Sequence, residues 1–303
     1  VVLFASLGIA WGIPYLLIKV AVEELDPSMV VLGRSALGAL ALLPLAMFRK
    51  QVIQVLRRWR PLLAYTVIEI VVPWYFLSTA ETRLPSSTAG LLIAAVPLVG
   101  VAVALAFGRP ERLSAGNWVG ILLGMLGVAA LVGLDVAGSD LIAVAQIGIV
   151  VVGYAVGPAI LSRWMSDLPG VGVVAVSLAL TAIVYVPIVS LTGGWPTTMP
   201  SPAVIWSVVV LALVCSAAAF LLMFALIAEI GPVRTTTITY VNPAVAIVAG
   251  VLVLGERVTV WTVVGFVLVL AGSYLVTRRR AALDAPPEPA AAPALVEEAD
   301  ERS

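Results

Sequence analysis

The chain has 303 residues, 62% of them hydrophobic and 11% charged, with a formal net charge of zero. A soluble domain carries about a quarter charged residues, so lipid has to cover most of a surface of this composition. One cysteine and no histidine exclude an intramolecular disulfide, a Cys/His zinc site and a histidine-based catalytic triad.

A helix spanning the hydrocarbon core needs about 20 mostly apolar residues. Runs of that kind predict helices over Val2–Val20, Ser28–Phe48, Pro61–Thr79, Pro85–Phe107, Asn117–Leu134, Leu141–Leu161, Gly170–Leu191, Pro202–Ile227, Pro232–Leu254 and Val260–Thr277. Barrel strands would alternate in hydropathy, and an open sheet edge cannot be satisfied in lipid. The fold class is therefore an all-α membrane protein of ten transmembrane helices. No small-residue cleavage pattern follows the opening run, so the first span is expected to stay on the chain.

Polar groups at membrane depth mark a pathway. In the first span Trp11, Tyr15 and Lys19 share a helix face, with Lys19 near enough to the end to snorkel. Arg34 lies about 9 Å into the second span, and Glu69 about 12 Å into the third from its other end. Similar depths predict an ion pair, or a site where both hold a substrate's charged groups. Glu69 is also the candidate for proton coupling. Tyr65, Glu69 and Phe76 approximate one stripe.

Pro97 in the fourth span and Pro243 in the ninth each remove a backbone donor, predicting kinks that free the carbonyls of Ile93 and Thr239. Gly120 and Gly124 in the fifth span suit close packing, within the fold or between two copies in a homodimer. Tyr154 in the sixth span stands near the repeat position of Trp11, and Cys215 in the eighth reads as a small packed residue. Thr236, Tyr240 and Asn242 line up polar groups where the ninth span begins. From 279 to 303 the chain turns to Pro, Ala and Glu, the composition of a disordered cytoplasmic tail.

Loop charge sets the orientation. With the N-terminus inside, the inner loops hold Arg49, Lys50, Arg57, Arg58, Arg60, Arg109, Arg112, Arg163 and Arg234, and Arg278–Arg280 follow the last span. The outer loops hold Arg83 and Arg257 beside Glu23, Glu24, Asp26, Asp135 and Asp140. Both termini are predicted to be cytoplasmic, in a multi-pass protein of the cell membrane.

The halves repeat. Pro14, Pro27 and Pro44 correspond to Pro158, Pro169 and Pro187; Leu84-Pro85 corresponds to Gly231-Pro232, and Pro97 to Pro243. Glu111-Arg112, Gly120 and Gly127 recur as Glu256-Arg257, Gly265 and Gly272. The repeats divide the chain into 1–135 and 140–278. Five spans per half is odd, so the second half has to be inverted, which places a substrate site where the halves meet.

Leu84-Pro85-Ser86-Ser87-Thr88-Ala89-Gly90 with Val96-Pro97-Leu98, and Tyr240-Val241-Asn242-Pro243-Ala244 with Leu254-Gly255-Glu256-Arg257-Val258, resemble the signature of EamA-type transporters of the drug/metabolite transporter superfamily. Trp11-Gly12 and Arg34 resemble it as well. Arg109-Pro110 departs from the compact Gly-Glu pairing seen at Gly255-Glu256. The resemblance implies two inverted five-helix repeats and export of amino acids or other small metabolites.

The expected function is secondary transport of a small-molecule substrate, without cofactor, metal or nucleic acid, and with the lipid bilayer as partner. No phosphate-binding loop is present for a primary pump. No cluster of acids and nucleophiles at one membrane face points to an enzyme. A lipid or amphiphile flippase and a non-transporting scaffold are the alternatives.

Overall fold

The computed structural model describes residues 2–106, 115–131, 141–230, 238 and 241–283. Among these there is no strand. The principal helices are α1 (Val2–Ala21), α2 (Pro27–Phe48), α3 (Trp59–Glu81), α4 (Ser86–Val103), α5 (Ala115–Ala130), α6 (Leu141–Trp164), α7 (Gly170–Thr192), α8 (Pro202–Ile230), α9 (Val241–Leu254) and α10 (Val260–Leu275). Seven of them are long and apolar enough to cross a membrane; α5, α9 and α10 are shorter apolar helices in those bounds.

Local chemistry sets the ends. Asp26 accepts from the Ser28 amide at 2.8 Å, with Pro27 opening α2, and Ser201 caps α8 ahead of Pro202. Both use a side-chain oxygen for an orphan amide and a proline that lacks one. Gly193 stops α7 in the left-handed region at φ 71°. Lys50 takes a similar turn at φ 55°, and a short helix, Gln51–Leu56, follows it. Periodicity over so few residues is invisible in the sequence.

Several boundaries move. α3 runs to Glu81, beyond the predicted end at Thr79. The last helix continues through the three arginines to Leu283, although a tail was expected from 279; Arg, Ala and Leu all favour helix. Pro243 is the third residue of α9 as described, and Thr239, the carbonyl of which a kink there would free, lies outside the described residues. At Pro97 the break is present: the helix is interrupted by turn residues at Ala94 and Ala95 and resumes at Val96. The Ser273 hydroxyl donates to the freed Ala94 carbonyl at 3.0 Å.

The halves interlock. α2 packs on α7, α4 on α9 and α5 on α10, each helix on its repeat counterpart, while α3–α6 is matched by α8–α1. The α5–α10 seam uses the small residues. A Cβ on Gly272 would stand 2.5 Å from the Gly120 carbonyl oxygen and from the Gly124 amide. The Gly120/Gly124 face is thus taken up inside the fold, not left free for a second copy. Large apolar side chains such as Phe48, Leu191 and Leu252 are exposed instead, as a lipid-facing surface requires.

The helices α3 and α8 carry π-helical segments, Thr66–Val71 and Leu213–Ala218. They occupy repeat-related positions. Such wide turns re-aim the side chains that follow and recur at functional sites.

Candidate functional site

Arg34 leaves α2 towards the α8 π-segment and is 7% exposed. Its Nε donates to the Ser216 hydroxyl at 2.9 Å, and its guanidinium carbon lies 3.7 Å from the centre of the Trp74 ring. Ser216 in turn donates to the Leu211 carbonyl at 2.9 Å. Stacking on an indole and one N–H bond orient the planar fork while its terminal nitrogens make no hydrogen bond to a described residue. A further contact ties down the other π-segment, where the Thr66 hydroxyl donates to Ser177 in α7 at 2.9 Å.

Glu69 sits in the α3 π-segment, turned onto α6. Its Oε2 is buried without a hydrogen-bond partner, and Gly157 leaves the room: a Cβ there would meet Oε2 at 1.9 Å. The predicted Arg34–Glu69 ion pair is not formed. Among the described residues the ion pair present is Arg58–Asp167, at 2.8 Å. The reason is geometric. Counted from the observed helix ends, Arg34 is about 10 Å deep and Glu69 about 18 Å deep from the same side, and the two face different neighbours.

Tyr154 of α6 is within electrostatic reach of both Arg34 and Glu69 and hydrogen-bonds with Trp74. Tyr15 of α1 is buried near Arg34, Tyr154 and Glu81, its ring against the space that a Cβ on Gly90 would take, at 3.2 Å. Trp11 goes elsewhere: it meets Phe220 edge-on, centroids 6.1 Å apart, in an apolar cluster of α1 and α8. Asn242 contributes a buried, unpartnered Oδ1 where α9 begins, and its carbonyl faces Gly12. Thr236 and Tyr240 lie outside the described residues. Tyr65 remains beside Glu69, while Phe76 packs edge-on with Tyr75.

Sequence reading missed Trp74, Ser216, Glu81 and the work of Glu256. Ser216 was findable, since the spacing that relates Leu84-Pro85 to Gly231-Pro232 carries Glu69 onto it. Trp74 follows a π-segment, so regular periodicity points it in the wrong direction. Glu81 fell outside a helix predicted too short. Its carboxylate is 0% exposed, and neither oxygen has a hydrogen-bond partner. Lys19 donates to the Glu81 carbonyl at 2.6 Å and to the Leu84 carbonyl at 3.1 Å, closing the C-terminus of α3.

The turn after α9 supplies a second latch. Gly255 adopts φ 65°, which swings Glu256 back over α4. Its carboxylate accepts from the Ser86 amide at 2.7 Å and the Ser87 amide at 3.0 Å. A residue of the second half thus caps a helix of the first. Burial raises the Glu256 pKa, but bonds from Ser87 and Ser86 outweigh it and hold the group below the ordinary carboxylate value. Glu24 is likewise lowered by bonding to Ser201, whose amide donates to it at 2.7 Å.

The profile described as EamA-like transporter family matches residues 1–133 and 141–278. The chain belongs to that family. Among its relatives is the "Uncharacterized inner membrane transporter YedA" of Escherichia coli, 31% identical over 284 residues, 89% of this chain and 90% of that protein. An "Uncharacterized transporter" of Archaeoglobus fulgidus is 25% identical, covering 89% and 95%. The "Uncharacterized transporter YvbV" of Bacillus subtilis is 23% identical, covering 91% of each. A solved crystal structure shares the fold with a TM-score of 0.67 at 20% identity, over 94% of this chain and 98% of that one. As an EamA-like family member the chain is a multi-pass membrane protein of the transporter class. Among the described residues no grouping of three His, Cys, Asp or Glu could hold a metal ion.

Proposed function

We propose that this EamA-like transporter is a secondary exporter of small zwitterionic or amphipathic metabolites, amino acids among them. It works by alternating access between two inverted five-helix halves, ten spans in all, with both termini cytoplasmic. The observation that carries the substrate class is the Arg34 fork, stacked on Trp74 and tied to Ser216 of the other half. A carboxylate would take the two terminal nitrogens. Tyr154 is within electrostatic reach of both this anion site and Glu69, whose unpartnered oxygen suits an ammonium group or a proton. The reciprocal packing of α3 on α6 and α8 on α1 supports the inverted arrangement. Export as the direction rests on the family resemblance.

The test is a thermal-shift screen of purified protein against amino acids, nucleosides, amines and aromatic compounds, repeated on Arg34→Gln and Glu69→Gln. A stabilising zwitterion that loses its effect in both variants is expected. Equal stabilisation of parent and variants by every ligand would refute the site.

One observation favours a second reading, passage of a lipid-like amphiphile. A groove of about 410 Å³ runs between α3 and α6, lined by Arg60, Pro61, Ala64, Ile68, Val156, Ile160 and Trp164. It is almost wholly apolar with a cationic mouth. Movement of a fluorescent phospholipid between leaflets in vesicles, abolished by Ile160→Trp, would support that reading over the first.

A further inference from the structure

We propose that Glu81 holds the exchangeable proton that controls opening of the bundle at its α3–α4 end, an inference that deepens the transport reading and rests on it. The carboxyl is wholly buried and both its oxygens lack a partner. The Lys19 ammonium makes its two hydrogen bonds to the Glu81 and Leu84 carbonyls and reaches the carboxyl through its charge alone. The groups facing Glu81 come from several elements. They are Lys19 and Tyr15 of α1, Arg34 of α2, Tyr154 of α6 and Glu256 after α9.

A carboxylate sealed from water without a donor is costly, and a proton removes that cost. Glu256 is the opposite case, a neighbouring acid satisfied as an anion by two amides. Two acids in contrasting surroundings divide the roles of proton carrier and fixed charge. On opening, the O–H bond of the Glu81 acid breaks, its electron pair stays on the carboxylate oxygen and the proton passes to water. The new charge repels Glu256, the residue that ties the second half to the N-terminus of α4. Release of that latch and hydration of Glu81 therefore favour each other. Protonation from the same side restores the closed state, so the proton gates this end of the bundle and does not itself cross the membrane.

Two measurements test this without any substrate, so failure here leaves the transport reading standing. Infrared spectroscopy of the protein in H2O and D2O should show a protonated-carboxyl stretch that loses intensity in Glu81→Gln and keeps it in Glu256→Gln. The second places a cysteine at the shielded α4 start, Ser87→Cys, in a Cys215→Ser background. Labelling by a membrane-impermeant maleimide, normalised to the denatured chain at each pH, should rise about tenfold from mildly acid to alkaline pH, the usual scale of coupling between sites. Glu81→Gln should flatten that rise. An unchanged infrared band, or a pH profile in Glu81→Gln that matches the parent, overturns the proposal. Should Glu81→Gln fail to fold, the parent decides: a protonated-carboxyl band wholly removed by Glu69→Gln refutes the role of Glu81.

Discussion

Replacing Glu256 by alanine removes the cap that one half places on a helix of the other. Two amides, at 2.7 and 3.0 Å from its oxygens, then lose their acceptor. A fully buried charge-assisted bond is worth about 1.5–3 kcal/mol, and lost N-caps cost about 0.5–2 kcal/mol. The Glu256 side chain is only partly buried, so solvent recovers part of the loss, and the expected cost is about 1–2 kcal/mol. At roughly 2–4 °C per kcal/mol for a chain of this size, Tm falls by about 2–8 °C. The pH dependence fixes the cause. The Glu256 pKa is depressed in the fold, so its contribution is complete above the ordinary carboxylate value of about 4.3. It disappears as pH falls through the lower folded value. Detergent-solubilised parent should therefore lose part of its stability below that point, and Glu256→Ala should lack this component. Identical melting curves and acid limbs in parent and variant would refute the latch.

Arg34→Lys keeps the charge but loses the planar stack on Trp74 and the bond to Ser216; a cost of about 1–3 kcal/mol is expected, read as a lower Tm together with loss of ligand stabilisation. Gly272→Ala drives a methyl into the Gly120 and Gly124 backbone, so α5 and α10 must separate at about 1–3 kcal/mol or more; thermal unfolding measures it. Thr66→Val leaves the Ser177 hydroxyl without its donor in a buried site, for about 1–3 kcal/mol. Asp167→Asn breaks an ion pair whose side chains are 45% and 59% exposed, and Tm should move by less than the equivalent of about 1 kcal/mol.

Composition and spacing alone determined that this chain is helical, that lipid covers it, and that its halves repeat. Lipid leaves a backbone almost no other choice, and each prediction needs only neighbouring residues. The break at Pro97 belongs with them, because a missing amide acts within one turn. The site depended on more. Glu69 and Arg34 stood out as costly charges, yet which groups they meet was decided by two π-segments that shift the register, by two further residues of α3, and by Gly157 making room on α6. Glu81 and Glu256 became neighbours only when α9 folded beside α4. Pattern along a helix fixes which residues share a face; what that face meets depends on contacts between residues far apart in the chain, and these only the packed bundle supplies.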